Sequence, residues 1–166
     1  ILDINHNVTI TSNIGATYAL AKIDVAANTL TFAGNVKSTT SLFSGAGTMT
    51  LGANTGITGT VTTSANGQGT LTFGTTTAST TLVSGNAGTA SSALLVTNVV
   101  TGGAAGTVST FGGELASRTI NVDGSGTLAF TDDVTVATVL LIADCSTAVV
   151  TMAANKKFVG NIDATT

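Results

Sequence analysis

Four phrases of the chain rhyme. AANTLTF (residues 26–32), GAGTMTL (45–51), GQGTLTF (67–73) and GSGTLAF (124–130) each place Gly or Asn before a short alternating run. Leu30 to Met49, Met49 to Leu71 and Leu128 to Val150 are steps of roughly 19 to 22 residues, the length of one solenoid repeat. Leu71 and Leu128 stand three steps of about 19 residues apart. Self-similarity at about 20 residues, with short strands between Gly or Asn corners, is the mark of a solenoid. The reading is an all-β chain, a parallel β-helix of one domain over residues 1–166, with about eight coils of about 20 residues each. Leu30, Met49, Leu71 and Leu128 would line one interior face, and the Thr residues between them would point outward.

Alternation at period two supports this along most of the chain. Leu2 and Ile4, Val8 and Ile10, Ile23 and Val25, Ile57 and Val61, Ile120 and Val122, and Val134 and Val136 alternate with polar residues, as strands with one buried face do. No stretch shows a helical period over three turns. The chain has no proline. Proline removes a ladder donor and belongs at sheet edges, so its absence suits strands paired on both sides. The rival all-β fold is a β-sandwich with strand exchange between subunits. It accounts for the composition but not for one phrase recurring at coil-length intervals.

The same phrases raise the question of a phosphate-binding loop. Such a loop needs a helix N-terminus after the glycines and, in its Walker form, a Lys next to the last Gly. GTTTASTT follows Phe73, and no Lys lies between Lys37 and Lys156. The glycines at 45, 47, 67, 69, 124 and 126 therefore read as corners.

Only 8% of the residues are charged, and between Ser38 and Gly113 there is neither a charged residue nor a histidine. Threonine, the most frequent polar residue, supplies much of the surface; it is β-branched and suits strands. With 43% hydrophobic residues and a net charge of -3, the chain is not of the disordered type. The apolar run 139–143 is far too short for a spanning helix, and aromatics at 4% are too few for the girdles of a membrane barrel. A mildly acidic chain whose only adjacent basic pair is Lys156-Lys157 is not a nucleic-acid binder.

The chemistry-bearing residues are few. His6 and Cys145 are single; Cys145, in LIADCSTAVV, reads as a buried inert thiol and His6 as a surface residue. One His and one Cys cannot assemble a zinc site. Asp132-Asp133 is the only adjacent carboxylate pair. It could serve glycosidic cleavage, but adjacent strand residues face opposite ways, and a solvated corner is the simpler reading. Asp123, Asp132, Asp133 and Asp144 do not form the calcium nonapeptide of β-helix repeats, since the glycines of VDGSGTLAF follow the Asp. Glu114 and Arg118 stand four apart in GGELASRTI, a spacing that predicts an ion pair on one helical turn outside the coil stack. Asn7-Val8-Thr9 matches the three-residue glycosylation pattern. No catalytic, cofactor-binding or metal-binding residue is assigned.

The recurrent GAGTMTL, GQGTLTF and GSGTLAF phrases, linkers such as ITGTVTTSANG, and the richness in Thr, Gly and Asn resemble the passenger regions of bacterial autotransporters. The nearest are the large rickettsial surface antigens of the outer membrane protein B type. The resemblance covers most of residues 28–130. It implies a secreted β-helical passenger, displayed at the bacterial cell surface, that self-associates or adheres to host cells, and it supplies no binding residues. The expected function is that of a non-enzymatic extracellular structural or adhesive protein, a passenger fragment or the subunit of a filament or surface layer. Its partners would be itself, by end-to-end stacking or strand addition, or a host or neighbouring-cell surface, with no nucleic acid and no membrane span. Strand pattern begins at Ile1 and runs to Ile162 with no capping helix in sight, which points to part of a longer chain or to end-to-end stacking. The alternative is a polysaccharide-active or polysaccharide-binding β-helix protein.

Overall fold

Alternation builds the strands one by one. In Thr29-Leu30-Thr31-Phe32 the Leu and Phe are buried and the Thr side chains face out, and Thr48-Met49-Thr50-Leu51 repeats the pattern. The structure is a computed structural model that describes residues 1–74, 79–100, 107–141 and 148–164. Sixteen strands lie among them. The first eight are β1 (Leu2–Ile4), β2 (Val8–Ile10), β3 (Leu20–Val25), β4 (Thr29–Phe32), β5 (Val36–Phe43), β6 (Thr48–Leu51), β7 (Gly56–Thr63) and β8 (Gln68–Gly74). Then follow β9 (Thr80–Val83), β10 (Leu94–Val100), β11 (Val108–Phe111), β12 (Leu115–Asp123), β13 (Thr127–Phe130), β14 (Val134–Leu141), β15 (Val149–Met152) and β16 (Phe158–Ala164).

Odd strands pair with odd and even with even. One eight-stranded sheet runs β1-β3-β5-β7-β9-β11-β13-β15 and the other β2-β4-β6-β8-β10-β12-β14-β16. Every pairing between named strands is parallel. This is a β-solenoid, and the sandwich alternative, which needs antiparallel strands, is set aside. Among the described residues no helix is long and apolar enough to cross a membrane.

The register corrects one expectation. Val8, Leu30, Met49, Leu71, Thr97, Ile120, Val139 and Ile162 form one column, each the ladder partner of the next. Leu128 is not in it. Leu128 sits in β13 of the other sheet, opposite Ser109 and Val150. The reason is coil length, which is not constant. Beside this column Thr72 and Asn98 are ladder partners 26 residues apart, and Asn98 and Asn121 are partners 23 apart. These two long steps after β8 shift the phase. Three coils on from Leu71 the column reaches Val139, so Leu128, which lies between Ile120 and Val139 in the chain, falls on the opposite sheet.

A continuous hydrophobic core fills the space between the sheets, including Ile23, Leu30, Phe32, Phe43, Met49, Leu71, Phe73, Phe111 and Leu128. Phe111 stacks on Phe130 of the next coil, with ring centres 5.9 Å apart, and meets Phe73 edge-on at 5.1 Å. Burying one such side chain contributes about 1.5–3 kcal/mol. Six of the hydroxyls that enter the core are paired with one another. Thr81 Oγ1 bonds Ser109 Oγ at 3.0 Å, Thr97 Oγ1 bonds Ser117 Oγ at 3.2 Å, and Ser38 and Ser41 share a bond of 2.9 Å.

Candidate functional site

Turning a corner takes a backbone N–H out of the strand ladder, and an unpaired N–H is costly. Here asparagine meets that need across coils. The side-chain oxygen of Asn13 accepts from Asn35 N at 2.8 Å, that of Asn35 from Gly56 N at 2.9 Å and that of Asn54 from Thr80 N at 3.1 Å. Asn7, Asn66 and Asn86 do the same for Thr29, Ala93 and Glu114. Asp133 takes the role later, accepting Lys157 N at 2.9 Å. Sequence reading takes Asn for a corner residue but does not reveal this cross-coil reach. The signal lies in the spacing, since each donor follows its acceptor by one coil.

Three of these corners line a groove of about 530 Å³, bordered by Asn13, Asn35, Asn54, Lys37, Thr58, Thr80 and Leu82 over a buried floor of Val36 and Ile57. The hollow has a local cause. Gly56 stands beside Leu82 in the ladder and carries no side chain of its own, so the corner between Asn35 and Leu82 is open. Among the described residues, Lys37 is the only charged one of the lining. Sequence analysis singles out none of these residues as a site.

A second surface lies outside the even-numbered sheet. Thr9, Thr31, Thr50, Thr72, Asn98 and Asn121 form one outward rank in register, and Thr29, Thr48 and Thr70 stand in a neighbouring one. Asn121 Nδ2 donates to Asn98 Oδ1 at 2.9 Å, so neighbouring coils are tied on the outside as well as within. None of these side chains carries a charge.

The chemistry-bearing residues fall apart in space. His6 is exposed and shares a 2.8 Å hydrogen bond with Asn5. Asp132 is held by Lys156, whose Nζ lies 2.7 Å from Oδ1, and it also accepts the Asp133 N–H at 2.8 Å. The Lys156 hydrogen bond, then the backbone bond, hold the Asp132 carboxyl below its usual range, and the same bond to Asp132 raises Lys156. Asp132 and Asp133 are thus a corner, one ion-paired and one capping the next coil. Their partners Lys156 and Lys157, each 24 residues on, are one coil distant.

Glu114 and Arg118 correct the helical-turn reading. Residues 115–123 are strand β12, so the two side chains stand on no helix, and no ion pair joins them; the ion pairs among the described residues are Lys22–Asp24 and Lys156–Asp132. Arg118 instead lies over Gly67, where an added Cβ would fall 2.5 Å from its guanidinium carbon. The strand wins because ladder pairing with β10 and β14 outweighs the small gain of one helical turn. Cys145 and Asp144 lie outside the described residues. Among the described residues no three His, Cys, Asp or Glu side chains come together as metal ligands.

No family model, curated protein or solved structure matches the chain.

Proposed function

We propose that this chain is a non-enzymatic structural and adhesive element of a bacterial cell surface, a rod segment of the autotransporter-passenger kind. The observation that carries the reading is the unbroken parallel pairing of both eight-stranded sheets. Seven coil steps at about 4.8 Å give a rod about 34 Å long. Its outward ranks of Thr and Asn offer many weak hydrogen-bonding contacts and little charge. The non-enzymatic part is supported by the engagement of Asp132 with Lys156, of Asp133 with the Lys157 N–H, and of His6 with Asn5. Extracellular placement rests on the resemblance in phrase and composition.

Self-association is the second half of the proposal. Among the described residues, the strands β1, β2, β15 and β16 each have one ladder neighbour. An open edge accepts another strand by main-chain hydrogen bonds, and the chemistry is the same whether more of one chain or a second copy supplies it. Negative-stain electron microscopy across a concentration series tests this. Filaments with an axial repeat near the rod length support assembly. Short rods at every concentration remove the filament part and leave adhesion. Particles with no elongated axis defeat the reading.

A further inference from the structure

We propose that the groove at the Asn13–Asn35–Asn54 corner binds a carboxylate-bearing polysaccharide, a uronate polymer, laid along the axis of the stack. The proposal gives the adhesive reading above its partner class and rests on that reading for its setting.

The amide chemistry comes first. A backbone N–H can be met only by an amide's oxygen, so the bonds to Asn35 N, Gly56 N and Thr80 N settle which way each side chain is turned. With the oxygens engaged, each amide presents its NH₂ group. Among the described residues, the nitrogens of these three amides make no hydrogen bond, and neither does Lys37 Nζ. All four groups are donors. Among the described residues no carboxylate lines the groove, so it pairs by charge with an acceptor-rich, negatively charged ligand.

Shape and charge density then narrow the class. The lining comes from four successive coils, a span of about 14 Å at the strand spacing, and the volume lies within the usual range of ligand clefts, about 300–1,000 Å³. The 43% exposed Leu82 suits the C–H face of a sugar ring. Among the described residues no aromatic side chain lines the groove, so recognition runs through hydrogen bonds and charge rather than ring stacking. The one cation, Lys37, can pair with one carboxylate, and the three amides can donate to hydroxyl and carboxylate oxygens of the flanking sugars. A densely sulfated chain would call for a cluster of cations.

The structure also supplies the variant that tests this. Asp133 caps its neighbour's N–H as the asparagines do, at 2.9 Å, so a carboxylate can hold such a corner. Asn13→Asp, Asn35→Asp and Asn54→Asp keep the capping oxygen, remove the NH₂ donors and reverse the charge complementarity. The experiment titrates the intact chain with an oligogalacturonate of defined length, following the Asn side-chain NH₂ signals by NMR. Its fully methyl-esterified form and a heparin oligosaccharide are run beside it. The expected result is movement of the Asn13, Asn35 and Asn54 signals with the uronate, weaker movement with the ester, and about a tenfold or greater loss of affinity in the triple variant. Lys37→Gln, an exposed single change, should weaken binding in the same direction and covers the case in which the triple variant fails to fold. Three results overturn the proposal: no movement with the uronate, equal binding of the ester, or tighter binding of heparin. None of them alters whether the chain forms rods in the microscope, so failure here is separable from failure of the structural reading.

Discussion

Thr81 donates its hydroxyl to Ser109 Oγ, its ladder partner one coil further on, across 3.0 Å of buried interior. The same column continues into Leu128 and Val150, so this line of the core accepts hydroxyls in a pair and hydrocarbon elsewhere. Thr81→Val alone strands the Ser109 hydroxyl and should destabilise the chain by about 1–3 kcal/mol. The double change Thr81→Val, Ser109→Ala should recover most of that loss, because both polar groups then leave together. Urea unfolding of the two single variants and the double one, read as a cycle, checks this. Simple addition of the single effects would refute the pairing.

The ring of Phe111 joins the two sheets, stacking on Phe130 of its own sheet and meeting Phe73 of the other edge-on. Phe111→Ala should cost about 3–5 kcal/mol, as large core truncations do. In a solenoid each coil leans on its neighbours. Amide exchange should therefore quicken in β8, β9, β11 and β13 before it does in β1–β4. Uniform quickening along the chain would show that the whole stack opens as one unit instead.

Gly69 begins the inward run of GQGTLTF with φ at 78°, and a Cβ there would lie 2.2 Å from the Phe43 ring. Phe43 is fully buried and has nowhere to move. Gly69→Ala combines a left-handed backbone with a core clash, and should destabilise by at least about 1–3 kcal/mol. A thermal midpoint equal to that of the parent would show that the corner relaxes and that the repeated glycines serve something other than space.

That phrase also shows how much of the molecule can be read in advance. Alternation places Leu30, Met49 and Leu71 inside and Thr29, Thr48 and Thr70 outside, because one buried face is all that a strand needs to announce itself. It assigns Leu128 to the wrong sheet because a phrase marks a strand, not which strand of the coil it is. Coil length also varies, and the long step from Thr72 to Asn98 spoils any fixed count. The Glu114–Arg118 spacing misleads for a related reason: local spacing knows nothing of the β10 and β14 ladders on either side. The groove is hidden in the sequence, since it depends on Asn35, Gly56 and Leu82 meeting at one corner across two coils. The link from Asp132 to Lys156 is hidden too, although its interval is one coil.

That link gives a dependence on pH whose sign is fixed. Lys156 and the Asp133 N–H hold the Asp132 carboxyl below its ordinary range, so folding favours the ionised form. Its contribution is present in full above the ordinary carboxylate range, about pH 4 to 5, and is lost as the pH falls through the lowered folded value. Lys156 is raised by the same contact, so its share is present below the ordinary lysine range and lost as the pH rises through the folded value. Both side chains are about a third exposed, so salt screens the pair and the effect is small. Carboxyl NMR titration should place Asp132 below the ordinary carboxylate range, and Lys156→Gln should move it back toward that range. The Asp133 N–H bond remains in that variant, so the return should be partial. An unchanged Asp132 titration would mean that the backbone bond, not the lysine, sets its acidity.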